Sequence, residues 1–234
     1  CLNFTQMEVR FGLKENWQQF SLLVLVNAFV GGMVGLERSI LPQLAAQEFS
    51  IASHSAIFSF IVVFGIVKAL TNYFAGHFAN ALGRRRLLIF GWLFAIPIPF
   101  LLMWAPTWNW IVAANVLLGI NQGLAWSSTV TMKIDLVGDK QRGLAMGINE
   151  FAGYLSVGLV ALLTAWIANA YGIRPYPFYI GIVFVFLGLL ISWIWVKDTR
   201  SFVQKAAQES SLPLLKNPFW DTSLLHRNLG AISQ

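Results

Sequence analysis

Two ionisable side chains stand alone inside long apolar runs of this sequence, and they are the residues best suited to chemistry. Lys68 lies eight residues before Gly76, which on a helix places it about 12 Å inside the end of its run. Glu150 lies seven residues past Gly143, about 10 Å inside, and is the only carboxylate in the interior of such a run. A charge within hydrocarbon is costly and marks a functional candidate. Lys68 can hold an anion, and Glu150 can bind and release a proton, since burial and a nearby cation act in opposite directions on its proton affinity.

A polar and aromatic stripe follows the fourth apolar run. Its members recur at spacings of three, four and seven residues: Asn115, Gly119, Gln122, Trp126, Thr129 and Lys133. Such spacings place them on one helix face. Amides within an apolar span are costly unless they face water or partners. We expect this face to line an aqueous cavity, and the alternative is hydrogen bonding between helices.

The first apolar run carries a second stripe, which ends in two charges. Asn27, Gly31, Gly35 and Arg38 share one helix face. Small residues permit close helix packing, so a packing surface and a substrate path fit the stripe about equally. Glu37 precedes Arg38 and points away from it, which makes it a second coupling candidate beside a simple solvated helix end.

The elements that position these side chains are membrane helices. The 234 residues are 57% hydrophobic and only 11% charged, whereas soluble domains carry about 25% charged residues. Six runs are long enough to span a bilayer, at 18–36, 54–77, 87–104, 109–132, 144–168 and 177–196. Barrel strands would be shorter and strictly alternating. The sequence therefore predicts an all-α membrane protein, whose uncharged third run is expected to be peripheral and lipid-facing.

The basic residues predict the orientation. Thirteen of the sixteen fall on one side when loops are taken alternately: Arg10, Lys14, Arg84, Arg85, Arg86, Lys133, Lys140, Arg142, Lys197, Arg200, Lys205, Lys216 and Arg227. Arg38 and Arg174 fall on the other side. This bias predicts that both ends are cytoplasmic in a multi-pass protein of the plasma or inner membrane. It also accounts for the net charge of +6 without nucleic-acid binding.

A basic turn, Gly76-His77-Phe78-Ala79-Asn80-Ala81-Leu82-Gly83-Arg84-Arg85-Arg86, connects the second and third runs. Its two glycines are expected to allow close helix contact and a sharp reversal. The spacing resembles a cytoplasmic loop signature of the major facilitator superfamily, Gly-x-x-x-Asp-(Arg/Lys)-x-Gly-(Arg/Lys)-(Arg/Lys). Gly76, Gly83, Arg84 and Arg85 match, while Asn80 stands where the family has Asp.

A second stretch strengthens the resemblance. Asp135-Leu136-Val137 and Arg142-Gly143-Leu144-Ala145-Met146-Gly147 are similar to the family's entry into its fifth helix. The resemblance implies that Asp135 pairs with Arg84 or Arg85, and it makes Asp198 a second partner. Together with Asn80 these residues would latch a cytoplasmic gate. The latch is expected to be loose because Asn80 lacks the charge that favours a helix dipole.

The resemblance also implies an architecture. Six helices would form two inverted three-helix repeats, half of a twelve-helix transporter of this family. We expect a cytoplasmic leader at 1–17, the bundle at 18–196, and an inter-half linker at 197–234, truncated near a seventh helix. The start at Cys1 and the end at Gln234 suggest a fragment whose C-terminal half is missing, although a half that pairs with a copy of itself fits as well.

The function implied by the resemblance is secondary active transport of a small organic solute by alternating access, most simply proton-coupled efflux. Two departures from the family pattern weaken the case for proton antiport. Asn115 stands where the family often has Arg, and the stretch Gly153–Gly158 lacks the proline of the family's efflux branch. Uptake of an organic anion or other metabolite is the alternative within the family. A non-transporting scaffold or receptor module is the alternative class. The sequence shows no hydrolytic, metal-binding or nucleotide-binding constellation and predicts no enzyme and no cofactor.

Overall fold

The computed structural model describes residues 9–51, 53 and 58–210. Within these ranges every regular element is a helix. The α-helices are α1 (Trp17–Arg38), α2 (Leu41–Gln47), α3 (Ser59–Leu82), α4 (Arg84–Ala95), α5 (Pro97–Trp104), α6 (Trp108–Asn121), α7 (Ser127–Val137), α8 (Arg142–Tyr171), α9 (Tyr179–Ile194) and α10 (Arg200–Ser210). A π turn at Gln122–Trp126 joins α6 to α7, and 3-10 turns occur at Asp139–Gln141 and Tyr176–Phe178.

Five helical segments of the described chain are long and apolar enough to cross a membrane. They are Trp17–Gln47, Ser59–Ala79, Arg84–Trp104, Asp139–Tyr171 and Tyr176–Ile194. These segments cover five of the six predicted runs. The remaining run, 109–132, lies in the continuous helical stretch formed by α6, the π turn and α7. The first residues of the second run, 54–57, lie outside the described residues.

The basic turn is shorter than the sequence suggested. Gly83 alone makes the reversal, with a φ of +88°, and α4 begins at Arg84. The three arginines therefore occupy the first turn of a helix, where positive charge opposes the helix dipole. A Cβ at Gly83 would lie 2.7 Å from a carboxylate oxygen of Asp198, so the turn is tightly enclosed as well as left-handed.

The third segment is half exposed in this bundle, with Phe90, Phe94 and Trp104 among its exposed side chains. Half of its apolar window is buried, and the Trp92 side chain is fully enclosed. Gly188 of α9 packs so closely on Trp92 that an added Cβ would lie 2.2 Å from the indole ring. The segment breaks at Ile96 because Pro97, the first residue of α5, has no backbone N–H to donate.

The helix pair α1 and α8 forms the most extensive contact of the bundle. Gly31 and Gly35 make this contact possible, because a Cβ at Gly31 would lie 2.3 Å from the Gly153 carbonyl oxygen. A Cβ at Gly35 would lie 2.5 Å from the Val157 carbonyl oxygen. The small residues of the first stripe therefore serve close packing, one of the two readings that the sequence left open.

One end of the bundle gathers the basic residues, and we call it the basic end; it is formed by Arg84–Arg86, Asp135 and Asp198. Residues 9–16 pack against this end. The Gly12 amide donates to the Leu136 carbonyl at 3.0 Å, and the ring of Phe11 meets that of Phe202 on α10 at 5.9 Å. The N-terminal segment therefore links the ends of α1, α7 and α10.

Candidate functional site

A row of charged and aromatic side chains crosses four helical segments, and we call it the charged row; it consists of Arg38, Phe64, Lys68, Trp126 and Glu150. The Phe64 ring lies between two cations, 5.4 Å from the guanidinium carbon of Arg38 and 5.7 Å from Lys68 Nζ. Lys68 Nζ also lies 4.9 Å from the centre of the Trp126 ring. The aromatic rings thus stabilise Arg38 and Lys68, whose side chains are only partly buried.

The carboxylate of Glu150 closes the row. Trp126 Nε1 donates to Glu150 Oε1 at 3.1 Å, and Asn149 Nδ2 donates to the same oxygen at 2.9 Å. Glu150 is half-buried and attracts Lys68 electrostatically. The sequence predicted similar depths for Lys68 and Glu150 without predicting contact. In the structure Trp126 bridges them, since it contacts both side chains.

Lys133 is a further charged residue near Glu150 that sequence reasoning assigned wrongly. It was counted with the basic loop residues, yet its side chain is fully buried and donates from Nζ to the Leu23 carbonyl at 3.1 Å. Glu150 attracts Lys133 as it does Lys68. The signal was present, because Lys133 follows Thr129 by four residues on the same stripe.

The π turn positions Trp126. It widens the fourth segment between Gln122 and Trp126, directly before α7. Single π turns inside helices are rare and often occur at functional sites. The turn also contains Gly123, where a Cβ would lie 2.5 Å from Thr71 of α3. Close approach of α3 is what brings Lys68 over the Trp126 ring.

Three polar residues of the two stripes, Asn27, Gln122 and Thr129, form a buried polar cluster together with Asn149 of α8. Asn27 Nδ2 donates to the Asn149 carbonyl at 2.9 Å, and Asn27 Oδ1 lies 3.0 Å from the Thr129 hydroxyl. Gln122 Nε2 donates to the Val30 carbonyl at 2.6 Å. The cluster therefore hydrogen-bonds α1 to α8 and to the fourth segment.

The buried polar cluster corrects a prediction. Asn27, Gln122 and Thr129 are fully buried, and Asn115 is 1% exposed and donates to the Ile111 carbonyl of its own helix at 3.1 Å. In this conformation these four side chains do not line an aqueous path, contrary to expectation. Asn27, Gln122 and Thr129 form the interhelical hydrogen bonds that the sequence left as the alternative, whereas Asn115 bonds within its own helix. Amide groups in an apolar span pair with backbone carbonyls when water is excluded.

Glu37 lies at the far end of α1 from the basic end. Its side chain is 2% exposed, and within the described residues neither carboxylate oxygen has a hydrogen-bond partner. Asn115 and Arg38 act electrostatically on this carboxyl group. The Arg38 guanidinium itself lies over the Phe64 ring.

An ion pair joins α4 to α7 at the basic end. Arg84 Nε lies 2.8 Å from Asp135 Oδ2, and the exposed fractions of the two side chains are 8% and 12%. The Thr199 hydroxyl donates to the same carboxylate oxygen at 2.6 Å. Of the two bases that the sequence offered as partners of Asp135, the structure places Arg84 there. The pair is largely shielded from solvent, unlike an exposed surface pair.

Asp198 takes a different role at the same end. Its carboxylate accepts from the backbone amides of Arg85, at 3.3 Å, and Arg200, at 3.0 Å. It therefore lies at the N-terminus of α4, where negative charge is stabilised and the three arginines are partly offset. The Arg85 guanidinium donates to the carbonyls of Ser192, at 3.4 Å, and Trp193, which ties α4 to the end of α9.

Comparison with known proteins agrees with this arrangement. A family model described as Major Facilitator Superfamily matches residues 21–232. The chain belongs to the major facilitator superfamily. Two relatives are named "Proton-coupled antiporter flippase LtaA". The Staphylococcus haemolyticus protein is 27% identical over 194 residues, 81% of this chain and 46% of that protein. The Staphylococcus saprophyticus protein is 25% identical over 186 residues, 79% of this chain and 43% of that protein. The chain spans about half the length of these relatives.

Family membership confirms the resemblance proposed from the two signatures, and together with the apolar helices it supports an integral multi-pass membrane protein. Two signature residues, Gly76 and Arg142, stand apart from the ion pairs of the basic end. Gly76 is exposed with open space around its Cα, so within the described residues it makes no close helix contact, contrary to expectation. Arg142 is exposed at the first residue of α8. The side chain of Asn80 lies outside the described residues.

Proposed function

We propose that this chain is the N-terminal six-helix half of a secondary active transporter that moves a small organic solute by alternating access. In this proposal α1–α5 form one three-helix repeat and α6–α9 the inverted one. The described helices from 17 to 194 form the bundle, residues 1–17 a leader, and residues 197–234 a linker to a second half. Family membership and the coverage of about half of each relative support this division.

The observation that carries the proposal is the charged row. Lys68, Arg38 and Glu150 are only partly buried, although each lies in a segment apolar enough to span a membrane. Charges in such segments usually face a bundle interior or a water-filled cavity. A row that offers two cations, one carboxylate and aromatic faces can contact a solute and a proton at the same place. We therefore revise the substrate path to Arg38, Lys68, Trp126 and Glu150.

Proton-coupled efflux is the mode we favour, with Glu150 as the proton carrier. One of its oxygens already accepts two hydrogen bonds, and neither bond uses Oε2. Lys68 attracts this carboxylate, so a solute or a helix movement that withdraws Lys68 would act directly on Glu150. The two relatives carry names of proton-coupled antiporters. Glu37 is a second candidate carrier because of its burial.

Uptake of an organic anion is the alternative within the family. Arg38 and Lys68 flank the same Phe64 ring, so a carboxylate could lie between two cations. The two modes differ in direction, because antiport moves solute against the proton flow and symport moves it with the flow.

The test uses the full-length transporter in proteoliposomes, a fluorescent organic cation and a fluorescent organic anion as probes, and an imposed pH gradient. We expect the gradient to drive the cation against the proton flow in the wild type and not in Glu150→Gln. The matched control is Glu15→Gln, because Glu15 is exposed in the N-terminal segment. Intact coupling in Glu150→Gln would remove Glu150 as the carrier, and accumulation of the anion with the proton flow would favour symport.

We propose that the basic end is the cytoplasmic gate and that the protein lies in the plasma or inner membrane. The shielded Arg84–Asp135 pair supports this role, since movement of α4 against α7 would have to break it. Asn80 lacks the charge of the family residue, so Asn80→Asp should tighten the gate. A reporter cysteine on the cytoplasmic side of the full-length protein should then react more slowly with a water-soluble thiol reagent. Unchanged reactivity would contradict the latch.

A non-transporting scaffold is the alternative of another class, and the buried polar cluster is the observation in its favour. Cysteine scanning separates the two classes. In a transporter, Trp126→Cys should become reactive to a water-soluble reagent in at least one condition, while Thr129→Cys stays unreactive. If the whole charged row stays unreactive in the full-length protein under all pH gradients, the scaffold is the better account.

A further inference from the structure

A basic groove lies between the first turn of α4 and the end of α9, away from the charged row. It is lined by Arg85, Arg86, Ile89, Trp193, Asp198 and Arg200 and encloses about 480 Å³. That volume is within the range of ligand pockets. Three cations and one carboxylate leave the groove with an excess of positive charge.

The single carboxylate of the groove already accepts two hydrogen bonds. Asp198 accepts from the backbone amides of Arg85 and Arg200, and Arg200 Nε lies 3.7 Å from it. Three guanidinium groups outnumber this carboxylate, so the groove favours an anionic ligand over a cationic one. The donors differ in availability, since Arg85 is held by the carbonyls of Ser192 and Trp193. Arg86 is exposed and makes no hydrogen bond or ion pair with any described residue.

The apolar part of the groove has the composition of a membrane interface. Trp193 is 60% exposed, and its neighbours Ile194 and Trp195 are 55% and 51% exposed. Tryptophan favours the headgroup level of a bilayer, where its ring meets both apolar and polar surroundings. Ile89 lies one helical turn from Arg85 on α4 and completes an apolar wall beside the guanidinium groups.

We propose that this groove binds the phosphodiester group of an anionic phospholipid. Arg86 contacts the phosphate, because a guanidinium presents paired donors that match phosphate oxygens. The N-terminus of α4 adds its positive partial charge on the same side. Trp193 and Ile89 contact the start of an acyl chain. Bias of basic residues toward one membrane side explains their presence there, but it does not explain an open groove that combines guanidinium groups with an apolar wall.

The choice of an anionic lipid over a zwitterionic one follows from the charges. A zwitterionic headgroup brings an ammonium, which would face three arginines and a carboxylate whose oxygens already accept bonds. An anionic headgroup brings only the phosphate, which complements the excess positive charge. Lipid bound here would touch both α4 and α9, and it would strengthen the connection that Arg85 already makes between them.

The experiment titrates phosphatidylglycerol and phosphatidylcholine, in separate runs, into the detergent-solubilised full-length protein, and counts bound lipid by native mass spectrometry. We expect the wild type to retain phosphatidylglycerol at concentrations where phosphatidylcholine is lost. Arg86→Gln should weaken phosphatidylglycerol binding about tenfold, the loss of one charge-assisted contact. Arg86→Lys should retain part of the affinity, since a lysine keeps the charge without the paired donors.

The control is Lys140→Gln, an exposed base of the same end outside the groove. An equal loss in Lys140→Gln and Arg86→Gln would mean general attraction by the basic end, and it would overturn the proposal. Equal retention of the two lipids would also overturn it, because the apolar wall alone would then explain binding. Displacement of lipid by millimolar inorganic phosphate would assign the groove to a free anion instead.

Discussion

The buried polar cluster and the charged row place polar side chains inside apolar segments in opposite ways. In the cluster, Asn27 and Thr129 are fully buried, and Asn27 bonds atoms of two neighbouring segments. In the row, Lys68 and Glu150 are only half-buried, and Lys68 contacts aromatic rings rather than fixed acceptors. The cluster joins helices, whereas the row keeps charge close to solvent.

This difference teaches how to read polar residues in apolar segments. A neutral amide or hydroxyl loses little on leaving water when it forms hydrogen bonds, so it can join one helix to another even though Gln122 Oε1 and Asn149 Oδ1 have no partner among the described residues. A charge loses far more solvation, and Lys68 and Glu150 remain partly exposed, whereas the buried Lys133 and Glu37 depart from this pattern. Four variants sharpen the comparison, each measured by thermal unfolding of the detergent-solubilised full-length protein and, for the row, by transport.

The largest effect is expected from Gly31→Leu, which disrupts the close contact between α1 and α8 next to the buried polar cluster. Even a Cβ at this position would lie 2.3 Å from the Gly153 carbonyl oxygen, so α1 must move away from α8. We expect a loss of about 3 kcal/mol or more in the free energy of unfolding. Gly65→Leu is the control, because a Cβ there has no neighbour within 4 Å. Equal melting temperatures for the two variants would contradict the close contact.

The next largest effect is expected from Asn27→Leu. The change leaves the Asn149 carbonyl and the Thr129 hydroxyl without their shared partner. We expect a loss of about 2 kcal/mol in the free energy of unfolding, with proton coupling retained in transport assays. Asn109→Leu, at an exposed position, should change neither property. Loss of coupling at unchanged stability would place Asn27 in the charged row's function rather than in packing.

A smaller change in stability is expected from Trp126→Phe, about 1 kcal/mol, because the ring remains and only the Nε1–H donor to Glu150 is lost. Its main effect should appear in transport. Without that donor Glu150 keeps only the hydrogen bond from Asn149, so its side chain is less firmly positioned and proton-coupled transport should slow several-fold. Trp108→Phe removes a comparable bond, from Nε1 to Ser59 Oγ at 3.0 Å, and should leave the coupled transport rate unchanged. An equal loss of rate in both variants would show that Trp126 has no special role in coupling.

The smallest effect on stability is expected from Lys68→Met, about 0.5 kcal/mol, since a partly solvated cation over a ring contributes little. The ratio of transport rates for the fluorescent anion and cation probes should nevertheless shift toward the cation. Lys140→Met, an exposed base outside the row, is the control. If Lys68→Met unfolds the protein as readily as Asn27→Leu does, Lys68 belongs with the structural cluster and the comparison fails.

The sequence located the basic end better than the interior. Short signatures around Arg84 and Asp135 depend on spacing within loops and helix starts, so the resemblance could be found without a structure. The partner of Asp135 was narrowed to two bases, and geometry then selected Arg84. The arginines' place inside α4 was missed, because Gly83 alone completes the reversal.

The interior was harder to predict, since periodicity shows which residues share a face but not what that face meets. The sequence correctly predicted that the stripe residues of the fourth segment share a helix face. It wrongly predicted that Asn115, Gln122 and Thr129 line an aqueous cavity, since all three are buried. Lys133 looked like a loop residue because it stands four residues before the end of α7, yet it is fully buried. The π turn has no clear sequence signal in Gln122–Trp126.

By itself the sequence determined that the chain is a helical membrane protein of the major facilitator superfamily, because long apolar runs and two loop signatures are local properties. Only the tertiary structure decided which polar groups are satisfied. It turned Asn27 toward Asn149, placed Lys68 over Trp126, and directed Trp126 to Glu150. These relations depend on helix rotation and on contacts between residues far apart in the chain, and a one-dimensional pattern does not encode them.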